Sequence, residues 1–248
     1  PEHLKSQEYL TKIKEWTDKQ KMILNQKKTK VMIFNFTENY QFTTRLELSR
    51  ENLEVVSQAK LLGVIITNDL KWDSNTDYLV KKANSRMQLL RKVASFTKSK
   101  EDKKAIYLLY IRSILEQSSV VWHSSLTQEN SEDLERVQKA AVKLILGKNY
   151  ENYEEALIQA DLESLKSRRE EICKKFAKKC VSSDNMRVKS LSPEKIKVHT
   201  MATRDEEHYQ VKHANTGRLM KSAVPFMQRL LNLEENNQQK RKASNEHN

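Results

Sequence analysis

Glycine and proline are scarce in this chain, three of each in 248 residues. So few obligatory breakpoints argue against a turn-dense, all-β architecture and leave long helices as the default. Cysteine is scarcer still: Cys173 and Cys180 are the only two. Seven residues apart on a helix, they share a face but stand about 10 Å apart along its axis, too far for a disulfide. They lack the C-x2-C spacing of a zinc site, and His199, His208 and His213 are not paired with them at ligand spacing. Core thiols in a reducing, intracellular compartment, nuclear or cytoplasmic, are the expectation. No apolar run approaches the roughly 20 residues of a bilayer crossing, and no signal peptide marks the start, so neither a membrane partner nor secretion is expected. Acidic residues are also in deficit, 33 Asp and Glu against 45 Lys and Arg, for a net charge of +12. That surplus points to a polyanionic partner, nucleic acid before membrane. The chain opens on Pro1 rather than Met, which suggests a piece of a longer product.

What is present reads as an α+β protein: a small antiparallel sheet with a helix, followed by an all-helical bundle. Tyr9, Leu10, Ile13, Trp16 and Ile23 follow a helical period from Leu4 to about Leu24. A basic turn, Lys27 to Lys30, leads into an expected strand at Val31–Phe34. Alternation over Gln41–Leu48 predicts a second strand, and Leu53–Thr67 predicts one or two more. Gly63 interrupts the last of these and reads locally as a bulge. After Trp72 only helices are expected. Ser74 and Asp77 form a capping box before the stripe Leu79, Ala83, Met87, Leu90 and Ala94. Ser99 and Asp102 open a second helix with Ile106, Leu109, Tyr110 and Ile114. A third starts at Ser131 and stops at Gly147, Tyr153–Ala160 is short, and Asp161 caps one with Leu165, Ile172, Phe176 and Cys180. The expected divisions are 1–72, 73–181, an extension over 182–233, and a polar, disordered tail over 234–248.

Two groups of residues carry candidate chemistry. Lys81, Lys82, Arg86, Arg91 and Lys92 edge the first helix of the bundle, with Lys98, Lys100, Lys103 and Lys104 continuing the basic character. Such side chains track a phosphate backbone without reading bases. A merely solvated helix face is the other reading. Asp69, Asp73 and Asp77 recur every four residues, but a turn and a cap separate them, so no metal site is expected. His123, after Trp122, has no nucleophile or metal partner nearby in sequence and is expected to make a structural hydrogen bond.

Four stretches in order resemble one family. They are WTDKQKMILNQKKTKVMIF, KLLGVIITNDLKW, IYLLYIRSILEQSSVVWHSSLTQENSEDLERVQKAAVKLILG and SAVPFMQRLLN, which together span about nine-tenths of the chain. They resemble the carboxy-terminal part of reverse transcriptases of non-LTR retrotransposons, the LINE type of the jockey-like branch.

The resemblance implies a right-hand polymerase cut through its palm. Residues 1–72 would be a palm remnant with a primer-grip-like segment, and the following helices a thumb-like bundle. The family's aromatic-Ala-Asp-Asp turn lies upstream, and this sequence has no Asp-Asp pair. Polymerase chemistry needs clustered carboxylates holding two Mg2+ ions about 4 Å apart. No cofactor is therefore expected in this chain, Mg2+ belonging to the full-length polymerase, and the chain alone should be inactive. Lys28, of the Lys-Thr pair, matches a lysine near the incoming triphosphate proposed to protonate departing pyrophosphate. Lys30 adjoins it. Gly63 would let the backbone approach the primer's sugar-phosphate. Trp72 would stack on a base or sugar, or belong to the core. The implied partner is RNA or an RNA:DNA primer–template. A helical interaction protein, or a decayed retroelement product with no nucleic-acid role, is the alternative.

Overall fold

The computed structural model describes residues 2–36, 45–185, 195–198, 206–211 and 216–245. The fold is α+β and mostly helical, with two compact units, Pro1–Asn75 and Thr76–Asn248.

In the first unit, α1 (Glu2–Lys19) forms where the apolar period predicts a helix but stops short of Leu24. Met22 donates its N–H to the Thr17 carbonyl and Lys21 takes a positive φ of 55°, which unwinds the last turn. One small antiparallel sheet was the expectation, and the strands correct it. β1 (Lys30–Val31) runs parallel to β4 (Glu54–Val55). β2 (Glu47–Leu48) pairs antiparallel with β3 (Glu51–Asn52), and β5 (Gln58–Leu61) with β6 (Val64–Thr67). These are separate two-stranded ladders, because no strand sustains apolar alternation long enough to recruit a third. The expected strand at Val31–Phe34 keeps only Val31, and Phe34 is exposed. Of the Gln41–Leu48 strand, residues 41–44 lie outside the described residues and only Glu47–Leu48 is paired.

Side chains finish what these short ladders leave open. The Gln7 side-chain amide donates to the Glu47 carbonyl and accepts from the Glu47 N–H, both at 2.9 Å, so one side chain of α1 pairs the open edge of β2 at Glu47. The Asn75 carboxamide oxygen accepts from the Ile65 N–H at 3.0 Å. Among the described residues of this unit, Leu48, Leu53, Val64 and Trp72 are the buried apolar ones.

The second unit holds all but the first three residues of α2 (Asp73–Phe96), which begins one residue ahead of the expected cap, with Ser74 already in its first turn and Asp73 at the positive end of the helix dipole. Leu79, Ala83, Met87 and Leu90 are buried as their spacing predicts. α3 (Lys100–Ile106) is capped by Ser99, whose hydroxyl accepts from the Asp102 N–H at 3.1 Å. It passes through a π-helical turn, Tyr107–Arg112, into α4 (Ser113–Leu115). The wider turn rotates the apolar face, so Tyr107 and Ile111 are buried while Leu109 and Tyr110, expected inside, are exposed.

α5 (Ser119–Trp122) follows Ser118 at a φ of 54°. α6 (Gln128–Leu146) is capped by Thr127 rather than opening at Ser131, and ends at Gly147 with a φ of 58°. α7 (Tyr153–Gln159) precedes α8 (Leu165–Val181), whose cap is Ser164 and not Asp161. The cysteines are free and buried on α8, where burial pushes the Cys173 thiol up to about 12.

β7 (Lys195–Val198) and β8 (Glu206–Tyr209) form an antiparallel pair. A C-terminal helix, Ala223–Asn245, packs on α8 through a cluster of Ala177, Tyr209, Met227 and Leu231. That helix continues over residues 234–245, where composition predicts a disordered tail. Its residues there are mostly good helix formers, and Glu234 pairs with Lys178 at 2.6 Å and Lys174 at 3.5 Å. Among the described residues no helix is long and apolar enough to cross a membrane.

Candidate nucleic-acid interface

From Tyr78 to Lys100 the chain has seven Lys and Arg residues and no Asp or Glu. Most of this interval is α2, whose buried stripe turns the cations outward. At about 100° per residue, Lys81 and Lys92 lie within about 20° of each other, directly opposite the buried stripe. Lys82 stands on the same outer arc, 5.8 Å above the Tyr78 ring. Arg86 flanks the arc on one side and Arg91 on the other. Lys81, Arg86, Arg91 and Lys92 are exposed and Lys82 half-buried. Among the described residues none of the five forms an ion pair within 4 Å. Cations without an acidic partner are available to phosphate without first breaking an internal ion pair.

The basic residues that follow have different duties. Lys100 donates to the Gln159 carbonyl. Lys104 reaches the Asp161 carbonyl and carboxylate, both at 2.9 Å, which holds the Asp161 carboxyl below its usual range. Both close the C-terminal end of α7, where unsatisfied carbonyls favour cations. Lys103 is buried. Only Lys98 extends the outer track of α2.

In the first unit, the Asn25 carboxamide oxygen accepts from the Lys28 N–H at 3.1 Å, and the Thr29 hydroxyl donates to the Asn25 carbonyl at 2.9 Å. The Asn and Thr of this motif thus close a 3-10 turn, Gln26–Lys28, and leave the Lys28 side chain exposed. Lys30 differs, because its ammonium is bound by Glu54 on the neighbouring strand. Gly63 is not a bulge inside a strand. It is the second residue of a two-residue hairpin turn between Leu61 and Val64, with φ of 49° at Leu62 and 87° at Gly63. Positive φ at both positions is the pattern of a type I′ turn, in which the second residue favours glycine. Lys28 precedes the β1–β4 ladder, Lys30 lies in it and Gly63 tips the β5–β6 ladder, so the fold does not gather the three on one strand pair. Trp72 is 7% exposed and presents no ring face for stacking. The next turn is fixed by Asp69, which accepts from the Thr67 hydroxyl at 2.7 Å and the Lys71 N–H at 3.1 Å; these bonds lower its carboxyl pKa. Among the described residues no three His, Cys, Asp or Glu side chains group to hold a metal.

The recognisable residues of the third stretch turn inward. Gln138 accepts from the Tyr107 hydroxyl and donates to the Tyr153 hydroxyl at 2.8 Å and the Glu163 carbonyl at 2.9 Å. Glu135 accepts from Tyr153 and from the Leu165 N–H. These bonds tie α6 to α7 and to the start of α8, and burial raises the Tyr107 hydroxyl well above its ordinary pKa. A second network surrounds Arg169, which is fully buried. Its Nε donates to His123 Nδ1 at 3.2 Å, one terminal nitrogen donates to the Ser131 hydroxyl at 3.2 Å, and the guanidinium sits 5.8 Å from the Trp122 ring. Burial and the Arg169 charge lower the His123 pKa to about 4. The structural hydrogen bond expected of His123 is therefore one accepted from Arg169.

Sequence reasoning passed over Arg169 because apolar periodicity skips a charged residue. Its signal is position: Leu165, Arg169, Cys173, Ala177 and Cys180 make the buried stripe of α8, while Phe176, expected inside, is 36% exposed. It also passed over Phe96, 89% exposed at the end of α2. The signal there is an aromatic on the lysine arc, inside the interval without acids. No protein-family model matches the chain, and neither curated proteins nor solved structures provide a match.

Proposed function

We propose that this chain is the carboxy-terminal part of a LINE-type RNA-directed DNA polymerase and that it holds primer–template nucleic acid, RNA or RNA:DNA, without carrying out nucleotide addition. In this reading the first unit corresponds to the rear of the palm, with Lys28 and the Gly63 turn on the primer side, and the second unit to the thumb. The observation that supports it is the interval Tyr78–Lys100, in which Lys81, Lys82, Arg86, Arg91 and Lys92 stand without internal acidic partners. Nucleotide addition would require the two-metal carboxylate cluster, and this sequence has no Asp-Asp pair.

Titration of a fluorescently labelled RNA:DNA hybrid tests the reading. Displacement of counterions from about five phosphates predicts a slope of about −4 to −5 for log K against log salt. Replacing the five cations with glutamine should abolish most of that slope while leaving the helical signal intact. Binding that does not respond to salt, or no binding at low salt, refutes the proposal.

A further inference from the structure

The outer face of α2 carries more than charge. Tyr78 and Phe96 are 18 residues apart, five full turns, so they lie on one line along the helix, with Leu89 close to it. Lys81, Lys82 and Lys92 stand on that same arc. Phe96 is 89% exposed and Leu89 37%. Lys92 precedes Phe96 by one turn, and Lys98 follows it just beyond the helix end. An uncovered phenyl ring next to cations that lack acidic partners is the combination with which proteins hold unpaired nucleotides: the ring stacks on a base and the cations track its phosphates. Within a paired duplex each base face is covered by its neighbour, so only the terminal pairs offer a face to such a ring.

We propose that Phe96 is a base-stacking residue and that the outer face of α2, from Lys81 to Lys98, binds an unpaired strand, such as the single-stranded overhang of a primer–template. This rests on the nucleic-acid reading above and specifies the form of ligand that the same helix takes. Charge complementarity selects the occupant. The apolar stripe of α2 is buried, and too little apolar surface remains outside to hold the helix in a lipid interface.

The test compares a labelled single-stranded oligouridylate with a blunt RNA:DNA hybrid of the same length, using the full chain. Phe96→Ala should weaken oligouridylate binding about tenfold or more, leave its salt slope unchanged, and affect the blunt hybrid, whose free base faces are its two ends, far less. Phe96→Trp should retain affinity and show fluorescence quenching by oligouridylate beyond that of the wild type. Combined Lys81→Gln, Lys82→Gln and Lys92→Gln should instead flatten the salt slope for both ligands. If Phe96→Ala changes neither affinity while the lysine variant weakens both, stacking is refuted and the nucleic-acid reading stands. If the wild type binds neither ligand, both fall. If Phe96→Ala abolishes binding to phosphatidylserine vesicles but not to oligouridylate, the face belongs to a membrane surface and the proposal is overturned.

Discussion

The two units bury their apolar residues by different means. The first has ladders of two to four residues, buries Leu48, Leu53, Val64 and Trp72, and leaves Tyr9, Ile13, Trp16 and Ile23 exposed. Its order depends on local polar devices: the Gln7 clamp on β2, the Asn25 turn, the Asp69 turn and two hairpins with positive φ. The second buries continuous helical stripes and seals polar groups inside them. Each local device in the first unit is at least partly exposed to water and is worth about 1 kcal/mol. In the second, removing one partner strands another in a low-dielectric interior, which costs several times more.

The largest expected effect is at Arg169. Arg169→Ala removes the donors to His123 and Ser131 and the partner of the Trp122 ring, and should lower stability by about 3 kcal/mol or more in urea unfolding. Gln138→Ala should cost about 2–3 kcal/mol, because Tyr107, Tyr153 and the Glu163 carbonyl lose one common partner. A loss below about 1 kcal/mol in both variants would erase the contrast between the units.

The pH response is intermediate and has a definite sign. His123 titrates near 4 in the folded chain against about 6.5 when unfolded, so between those values the unfolded state binds the extra proton. Its stability contribution is full above about 6.5 and declines as pH falls toward 4, by on the order of 3 kcal/mol in total. Protonation would also remove the Nδ1 lone pair that accepts from Arg169. His123→Gln should flatten unfolding free energy over that window, and an equally steep decline in the variant would assign the response elsewhere.

The smallest effects belong to the first unit. Gly63→Ala places a side chain at a φ of 87° and should cost about 1 kcal/mol, whereas Leu62→Asn, better suited to its φ of 49°, should recover a few tenths. Hydrogen exchange sharpens the comparison, since amides of β1–β6 should exchange well before those of α6 and α8.

Much of the second unit was legible from spacing. Leu79, Ala83, Met87 and Leu90 are inside, Ser99 caps α3, and Gly147 ends α6, because a helix makes neighbours of residues three and four apart whatever lies beyond it. Legibility failed where another element intervened. The π-helical turn moved Leu109 and Tyr110 outward, and Arg169 took a core place on α8 because His123 and Ser131 were there to accept its hydrogen bonds. In the first unit the β1–β4 ladder joins residues more than twenty apart, as Lys30 with Glu54, and alternation over a few residues carries no record of such a partner. The candidate site divides in the same way. The five cations of α2 could be read from the sequence, whereas the withdrawal of Lys30, Lys100, Lys103 and Lys104 into internal roles could not.

Composition and local order determined the basic surplus, the helical character and the interval without acids on α2, since each depends only on which residues are neighbours in sequence. Tertiary structure decided which cations remain unpaired, that Gly63 turns a hairpin, and that Trp72 lies inside while Phe96 lies out. Those outcomes depend on which distant groups come within hydrogen-bonding and van der Waals range, and only the folded chain brings them there.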